Sequence, residues 1–599
     1  MLFCRTLQIL FAASMLVHGC AFLAILATVG AFGTFPQPTL SSETSAAKQC
    51  SADAEPGSAQ ADAPYFASGG AYGARWKNWN GAITTCVPWL MPSNDKELAA
   101  ILAYARAHNF TVRPGGATGS VFAAVSDGSD PNEIVVSLAN YTAPSDWEYA
   151  LHEPAFDGGG ATVHVNAGWS VLKLYSRIKP AGYTLPTQTA LPIFQLGGMI
   201  SNTVHGGIYT ASFVSKYVKR LRVMAADGTI RLITADSELR MWRNSYGLLG
   251  IITAIEFELL PVSAFQVTFV ERSFTWSESS FWEFVLSDAM AGLQPADLPP
   301  NVTAAGSQKA FSGQFFMDLS TLGAEQVRIG AIVALMNENA TAAGVPSASP
   351  TIDAYDQLNA EVTEAPLQPD FSVRAPVFES LGRWGIPTAA DVPLALPASL
   401  LIQATLDEVK RMVVDNVVND GFMSISEYRG ASNFFFAAYF VPISNVFAAL
   451  DALRSDVLAR SAANDPDFVW KLPAEMRFLR VTDDAALNIV PPGMYGVVEL
   501  IALGTTGARA SDNQGWMKAF HAMETIFKQL GAVPHVAKEW GFEADNSGYV
   551  TKFAAASVCQ IYSSATKQAF NSYRLQLDPE GRFAGGGAMG LLAACGVTA

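Results

Sequence analysis

Glu475 and Arg477 stand two residues apart in the run Pro-Ala-Glu-Met-Arg-Phe-Leu-Arg-Val-Thr-Asp-Asp at 473–484, which reads as a β-strand. Residues two apart in a strand share a face, so the pair can point at one ligand. Arginine brings fixed N–H donors and glutamate an acceptor for hydroxyl groups; a purely structural ion pair on a sheet has the same appearance. Glu427 and Arg429, in Ser-Glu-Tyr-Arg, repeat the spacing. His535 and Lys538, taken alone, read as a surface histidine and lysine.

Two glycine segments could hold a phosphorylated or planar ligand. The first, Arg113-Pro114-Gly115-Gly116-Ala117-Thr118-Gly119-Ser120, follows a short strand-like run. Consecutive small residues let main-chain N–H groups converge on an anion, which is how a pyrophosphate is held without a dedicated cation. An ordinary glycine turn has the same composition, and no G-x-G-x-x-G is present to suggest a Rossmann site. The second, Leu196-Gly197-Gly198-Met199-Ile200-Ser201-Asn202-Thr203-Val204-His205-Gly206-Gly207, carries four glycines and a histidine. It suits close approach of backbone to a planar ligand, and equally a packed turn with a satisfied histidine.

The elements that must position these residues follow from periodicity. Apolar residues at helical spacing after an Asn94/Asp95 cap predict a helix over 95–108, and 111–113 is a short β-like run before the first glycines. Strands are predicted at 133–137, 162–166, 218–225 and 251–259, with a helix at 170–179 and a turn at Asp227-Gly228. This first folded part is mixed α/β. After Pro261 longer alternating runs such as 265–270 mix with helical stretches and Ala/Pro/Thr-rich loops over 339–391, which implies a second, α+β domain. A helix at 563–575 and the turn Asp578-Pro579-Glu580-Gly581 follow.

A chain of 599 residues exceeds what one core organises, so two or more domains are expected. Its formal charge of −15 and lack of a long basic run exclude a nucleic-acid partner, because phosphate binding needs clustered Lys and Arg. No Asp, Glu, Lys or Arg lies between Arg5 and Glu43, and the apolar stretch there reads as a signal peptide or an uncleaved membrane anchor. Either one sends the rest of the chain into the secretory pathway. Residues 36–63 read as a linker. Beyond the leader four cysteines remain, Cys50, Cys86, Cys559 and Cys595; proximity favours pairing Cys50 with Cys86 and Cys559 with Cys595, the alternative being free buried thiols. No C-x-x-C is present and His is scarce, so no metal site is expected. Sequons begin at Asn109, Asn140, Asn301 and Asn339. There is no G-x-S-x-G elbow for a serine hydrolase.

Read together, these segments resemble the vanillyl-alcohol-oxidase flavoprotein superfamily, with its PCMH-type FAD-binding domain. In that family a helix and strand lead into a glycine loop around the FAD pyrophosphate, and a G-G-x-I-x-x-x-x-H-G-like segment lines the flavin. Val223-Met224-Ala225-Ala226-Asp227-Gly228-Thr229 looks like the family's "ADG" hairpin, and Tyr246-Gly247-Leu248-Leu249-Gly250-Ile251-Ile252 like its "GxLGIIT" strand. Residues 473–484 are similar to the "PxExRF…DD" strand of the sugar-lactone (gulonolactone/arabinonolactone) and alditol oxidases; Glu427 and Arg429 lack that flanking match and rank lower. Pro534-His535-Val536-Ala537-Lys538 resembles the branch's "PHWxK", with Val536 in place of the Trp, and Leu577-Asp578-Pro579-Glu580-Gly581-Arg582-Phe583 its terminal "LDPxGxF".

The resemblance implies an α+β chain: leader 1–33, linker 34–75, a two-subdomain FAD-binding domain 76–262, an α+β substrate domain with an antiparallel sheet 263–545, and a segment 546–599 returning to the FAD domain. It implies FAD held by Arg113, Pro114, Gly115, Gly116, Ala117, Thr118, Gly119, Ser120, Gly197, Gly198, Ser201, Thr203, His205, Gly206, Gly250 and Ile252. The family's flavin-linking histidine would fall at Ala117, Thr118 or Gly119, none of them His, so noncovalent FAD is expected. In the implied reaction the flavin takes a hydride from a hydroxyl-bearing carbon of a sugar lactone, polyol or alcohol, and O2 or another acceptor reoxidises it. Lys538 or His535 would assist deprotonation or hold the alkoxide, Arg477 would orient the substrate and stabilise charge, and Glu475 would bind a second hydroxyl. Two alternatives stand beside this: a berberine-bridge-like or cytokinin-dehydrogenase-like enzyme acting on an aromatic alcohol or amine, and a flavin-free secreted scaffold.

Overall fold

The computed structural model describes residues 76–77, 84–85, 87, 89–116, 120, 125–126, 130, 132–153, 160–187, 189, 194–261, 265–286, 310–319, 326–336, 434–463, 465, 470, 473–503, 514–540, 562–585 and 588–589. The apolar leader, the linker, Cys50, Cys86, Cys559, Cys595, Ala117, Thr118, Gly119, Asn301, Asn339, Glu427 and Arg429 lie outside the described residues. Asn109 and Asn140 are both exposed.

The first lobe holds two sheets. In the smaller, β1 (Trp89–Leu90) and β2 (Thr111–Gly115) flank a central β3 (Glu133–Ser137), all parallel. Parallel neighbours need a crossover, and helix α1 (Asp95–Ala107) supplies the one from β1 to β2. Its start is fixed by Asn94, whose side chain accepts from Glu97 N at 3.1 Å while the Glu97 carboxylate reaches back to Ser93 N at 2.8 Å. Leu98, Ile101, Leu102 and Ala105 form its buried stripe.

The second sheet is antiparallel: β4 (Tyr149–His152), β5 (Ala161–Asn166), a short β6 (Tyr183–Thr184), β7 (Val218–Met224), β8 (Ile230–Ile233) and β9 (Ile251–Pro261), in the order β8-β7-β9-β5-β4 with β6 pairing on β9. β9 is flanked by β7 and β5, and Ile251–Phe257 are all buried, so the strand carries apolar residues on both faces, with Thr253 and Glu256 among them. Helix α2 (Val171–Ile178) is capped by Ser170, which accepts from Lys173 N at 3.1 Å. The stretch Leu196–Ser201 of the second glycine segment, open in the sequence to reading as a turn, is a short helix, α3. Ser201 Oγ donates to Gly197 O at 2.8 Å and Asn202 Nδ2 to Gly198 O at 3.0 Å, so side chains complete what the turn alone would leave unpaired.

The second lobe is one antiparallel sheet with the order β10-β12-β11-β14-β15-β13-β16, where β10 is Phe265–Thr275, β11 Ala310–Asp318, β12 Gln326–Met336, β13 Phe434–Pro442, β14 Ala474–Val481, β15 Gly493–Leu503 and β16 Val533–Pro534. Helices α4 (Val446–Ala462) and α5 (Gln514–Gln529) cover one face. A Cβ at Gly496 of β15 would lie 2.7 Å from Val446 Cγ2, so glycine permits that close approach. Tyr439 donates to the buried Glu524 on the same side.

Bonds between segments distant in sequence fix one lobe on the other. After β14 the chain lies against the first lobe: Arg240 pairs with both carboxylate oxygens of Asp483 at 2.8 and 2.6 Å, and Arg243 Nη1 donates to Asp484 O at 3.1 Å. At the far end, α6 (Ser564–Leu577) is followed by a turn in which Asp578 accepts from Arg582 N and Phe583 N at 2.8 and 2.7 Å. The residues beyond it lie along β2, with Val112 N donating to Arg582 O at 2.7 Å.

Candidate active site

The first glycine loop leaves β2 at Gly115. Arg113 is buried, and its guanidinium donates to the carbonyls of Tyr246 (2.7 Å), Gly247 (3.2 Å) and Phe583 (2.6 Å). Those bonds commit Arg113 to framing the loop, leaving the anion-binding part to main-chain N–H groups. Pro114 packs on Gly247, where a Cβ would lie 2.7 Å from its ring; with φ at +70° that position is doubly restricted to glycine. Gly116 faces Gly198, and a Cβ added at Gly198 would meet only Gly116 Cα, at 4.0 Å. The two glycine segments therefore touch backbone to backbone. Ser120 is half-buried.

Buried polar atoms with no hydrogen-bond partner among the described residues include Asn202 Oδ1 and Thr203 Oγ1 of the second glycine segment, and Thr187 Oγ1. Orphaned groups of this kind are costly unless a ligand completes them. Gly197 N is spent on Ala167 O at 2.8 Å, and a Cβ at Gly250, where φ is +146°, would lie 2.8 Å from Met224 O just before β9 begins, with Ile252 its second residue. Open glycine backbone and unpartnered polar atoms fit a large, polar, partly planar cofactor such as FAD.

Strand alternation assembles the second half of the site. Register pairs Gln314 with Arg477, Glu475 with Glu499, and Glu499 in turn with Ala438, so Gln314, Glu475, Arg477, Glu499, Phe436 and Phe440 share the face opposite α4 and α5. Glu475 accepts from Arg477 Nη2 and, at 2.8 Å, from Gln314 Nε2; both bonds end on Oε1, leaving Oε2 for another donor. Burial and the like charge of Glu499 raise the Glu475 pKa, with Arg477 working against them. Lys538 Nζ lies 3.4 Å from Glu499 Oε2 and 4.4 Å above the Phe436 ring.

His535 is anchored by its N–H to Ala438 O at 2.8 Å, and its ring stacks on Phe440. His205 comes from the first lobe, its ring 5.4 Å from that of His535 and 5.7 Å from Phe440. The main chain beside it is tied across the lobes by Gly313 N donating to Gly207 O at 3.3 Å. Burial drives the His205 pKa down to about 3, helped by the charges of Arg477 and Lys538. His535 is also held well below the histidine range, by burial and then by His205 and Lys538. Both rings are neutral at any physiological pH.

The structure thus gathers Glu475, Arg477, His535, Lys538 and His205 at one place. Sequence reading missed Glu499 and Gln314, which only the strand register reveals. It also missed Glu539, a buried carboxyl with Oε2 unpartnered, whose pKa burial pushes well above the usual range. Among the described residues no group of three or more His, Cys, Asp or Glu could hold a metal ion.

Comparison with known proteins agrees with this architecture. Residues 89–234 match the FAD binding domain family, and residues 400–589 match D-arabinono-1,4-lactone oxidase. Cholesterol oxidase from Brevibacterium sterolicum superposes with a TM-score of 0.60 at 14% identity, covering 88% of this chain and 98% of that one. A point mutant of the same enzyme gives 0.60 at 16% over 88% and 99%, and a solvent-stable cholesterol oxidase 0.57 at 16% over 88% and 98%. At such identities the likeness is one of fold. Together with the glycine cradle and the charged sheet face, the two family matches place this chain among the PCMH-type FAD-linked oxidoreductases acting on CH–OH donors, near the sugar-lactone oxidase branch.

Proposed function

We propose that the protein oxidises a hydroxyl-bearing carbon of a sugar lactone, alditol or related small alcohol, with O2 as the terminal electron acceptor. The observation that carries this reading is the sheet face on which Glu475–Arg477 and Glu499–Lys538 stand side by side, next to two neutral histidines. Two carboxylates and two cations offer acceptors and donors to several hydroxyls of one neutral substrate without a net charge to repel it.

Bound FAD supplies an acceptor for the hydride at N5. The protein holds the substrate and manages the proton. Glu475 Oε2 accepts from a second substrate hydroxyl. Arg477, fixed by Glu475, orients the substrate and stabilises negative charge as it develops. Lys538 holds the reacting oxygen as it takes on alkoxide character. FAD is held noncovalently by the Gly116/Gly198 cradle and the Thr203 and Asn202 side chains. The apolar leader and the even set of cysteines support a secreted or membrane-anchored enzyme.

Anaerobic mixing of the purified yellow protein with L-gulono-1,4-lactone, D-arabinono-1,4-lactone, xylitol and D-sorbitol tests the reading. Bleaching of the flavin band by at least one of them is expected. Bleaching by none of these but by an aromatic alcohol or amine would overturn the substrate class. Acid precipitation should release the yellow colour into the supernatant.

A further inference from the structure

His205 and His535 are held in opposite tautomers. His205 Nδ1 lies 2.8 Å from the carbonyl oxygen of Gly206, which can only accept, so the ring proton sits on Nδ1 and Nε2 carries the lone pair. The reverse holds at His535: the backbone N–H of Ala537 points at Nδ1 from 3.2 Å. An N–H can only donate, so Nδ1 carries the lone pair and Nε2 the proton. A contact of the His535 ring with its own carbonyl favours a ring proton there. A proton on Nδ1 would, however, confront the Ala537 N–H. Among the described residues nothing bonds to Nε2 of either ring.

We propose that the two rings form an acceptor–donor pair for the reacting hydroxyl: His205 Nε2 accepts its hydrogen bond and then its proton, while His535 Nε2–H donates to its oxygen. Both rings lean on Phe440, and the two histidine centroids stand 5.4 Å apart. In the step, the O–H bond breaks as Nε2–H forms on His205, and the carbon-bound hydrogen leaves with the electron pair of the C–H bond as a hydride to FAD, the oxidant of the proposed reaction. The carbonyl product has no hydroxyl hydrogen to give. It loses its bond to His205 and keeps the one from His535, so an alcohol is held by two bonds and its product by one.

Other groups near the pair are already engaged. Lys538 is paired with Glu499, and Glu475 takes two donors on Oε1. His205 is kept neutral in the resting site by burial and by Arg477 and Lys538, so its lone pair is available at any physiological pH. The assignment deepens the proposed alcohol oxidation without depending on which alcohol is used.

Neutron crystallography of the deuterated, FAD-loaded protein reads the tautomers directly and needs neither variant nor substrate. Deuterium on Nδ1 of His205 and Nε2 of His535 is expected; deuterium on His205 Nε2, or on His535 Nδ1, overturns the proposal. A second measurement uses His205→Phe, which keeps a ring without a lone pair. With xylitol or L-gulono-1,4-lactone its flavin-reduction rate should fall about 100-fold or more. A rate within about threefold of the unsubstituted protein, with FAD retained, also overturns it. If the unsubstituted protein is reduced by neither compound, the substrate reading fails, and the neutron result still decides the tautomers.

Discussion

Arg113 Nη1 donates to the carbonyl oxygen of Phe583 at 2.6 Å, across 470 residues of chain, so the strand entering the cofactor loop and the C-terminal tail are parts of one structure. Burial brings the Arg113 pKa down to about 10, with Glu133 opposing, and the guanidinium remains charged at neutral pH. Replacement by Ala orphans three carbonyls at once. We expect Arg113→Ala to cost about 3 kcal/mol or more and to weaken FAD binding. Thermal unfolding and titration of the stripped protein with FAD check both parts.

Gly313 lies where a Cβ would come within 2.3 Å of the Tyr209 hydroxyl oxygen. Gly313→Ala should therefore destabilise by about 1–3 kcal/mol, the usual range for overpacking. Adding Tyr209→Phe removes the clashing atom, so the double variant should recover part of the loss. Urea denaturation of the four proteins in the cycle measures it; strict additivity would show that the clash is not the cause.

Acid should destabilise the protein through His205. Its folded pKa, about 3, lies below the ordinary histidine value of about 6.5, so the unfolded chain binds the extra proton. The stability is fully present above about pH 6.5 and falls as pH drops toward 3, by at most about 1.4 kcal/mol per pH unit. In His205→Phe that part of the dependence should vanish, which denaturation midpoints at pH 7 and pH 5 would reveal.

Glu539 has the opposite sign. Burial raises its folded pKa, so the folded protein binds the extra proton, and stability is lost as pH rises through the interval above 4.5. Glu539→Gln should gain stability relative to the natural protein at pH 8 and much less at pH 5. An equal effect at both pH values would contradict a neutral buried carboxyl.

For the chemistry, Arg477→Ala and Lys538→Ala should each lower the flavin-reduction rate about 100-fold or more while the visible spectrum stays that of bound flavin. The exposed Arg240–Asp483 pair makes a useful contrast. Although bidentate, it is screened by solvent, and Arg240→Ala should change stability by less than about 1 kcal/mol with reduction rates intact.

Much was legible in the sequence because local physics writes it there. The Asn94 cap and apolar stripe mark α1, the largely apolar run 251–259 marks β9, and the two-residue spacing puts Glu475 and Arg477 on one side of β14. Glycine segments flag backbone that a ligand must approach. Other features depend on distant residues meeting, which no local pattern encodes. Glu499 stands opposite Glu475 only because β14 and β15 pair in that register. Arg113, whose type and place before a glycine loop suggest an anion ligand, is turned instead to carbonyls from two remote segments. His205 and His535 acquire their tautomers from single main-chain groups, Gly206 O and Ala537 N–H, placed by the fold. Composition and periodicity determine which elements form and which faces they bury; strand register and main-chain hydrogen bonding, set by tertiary packing, decide which side chains meet and which nitrogen carries the proton.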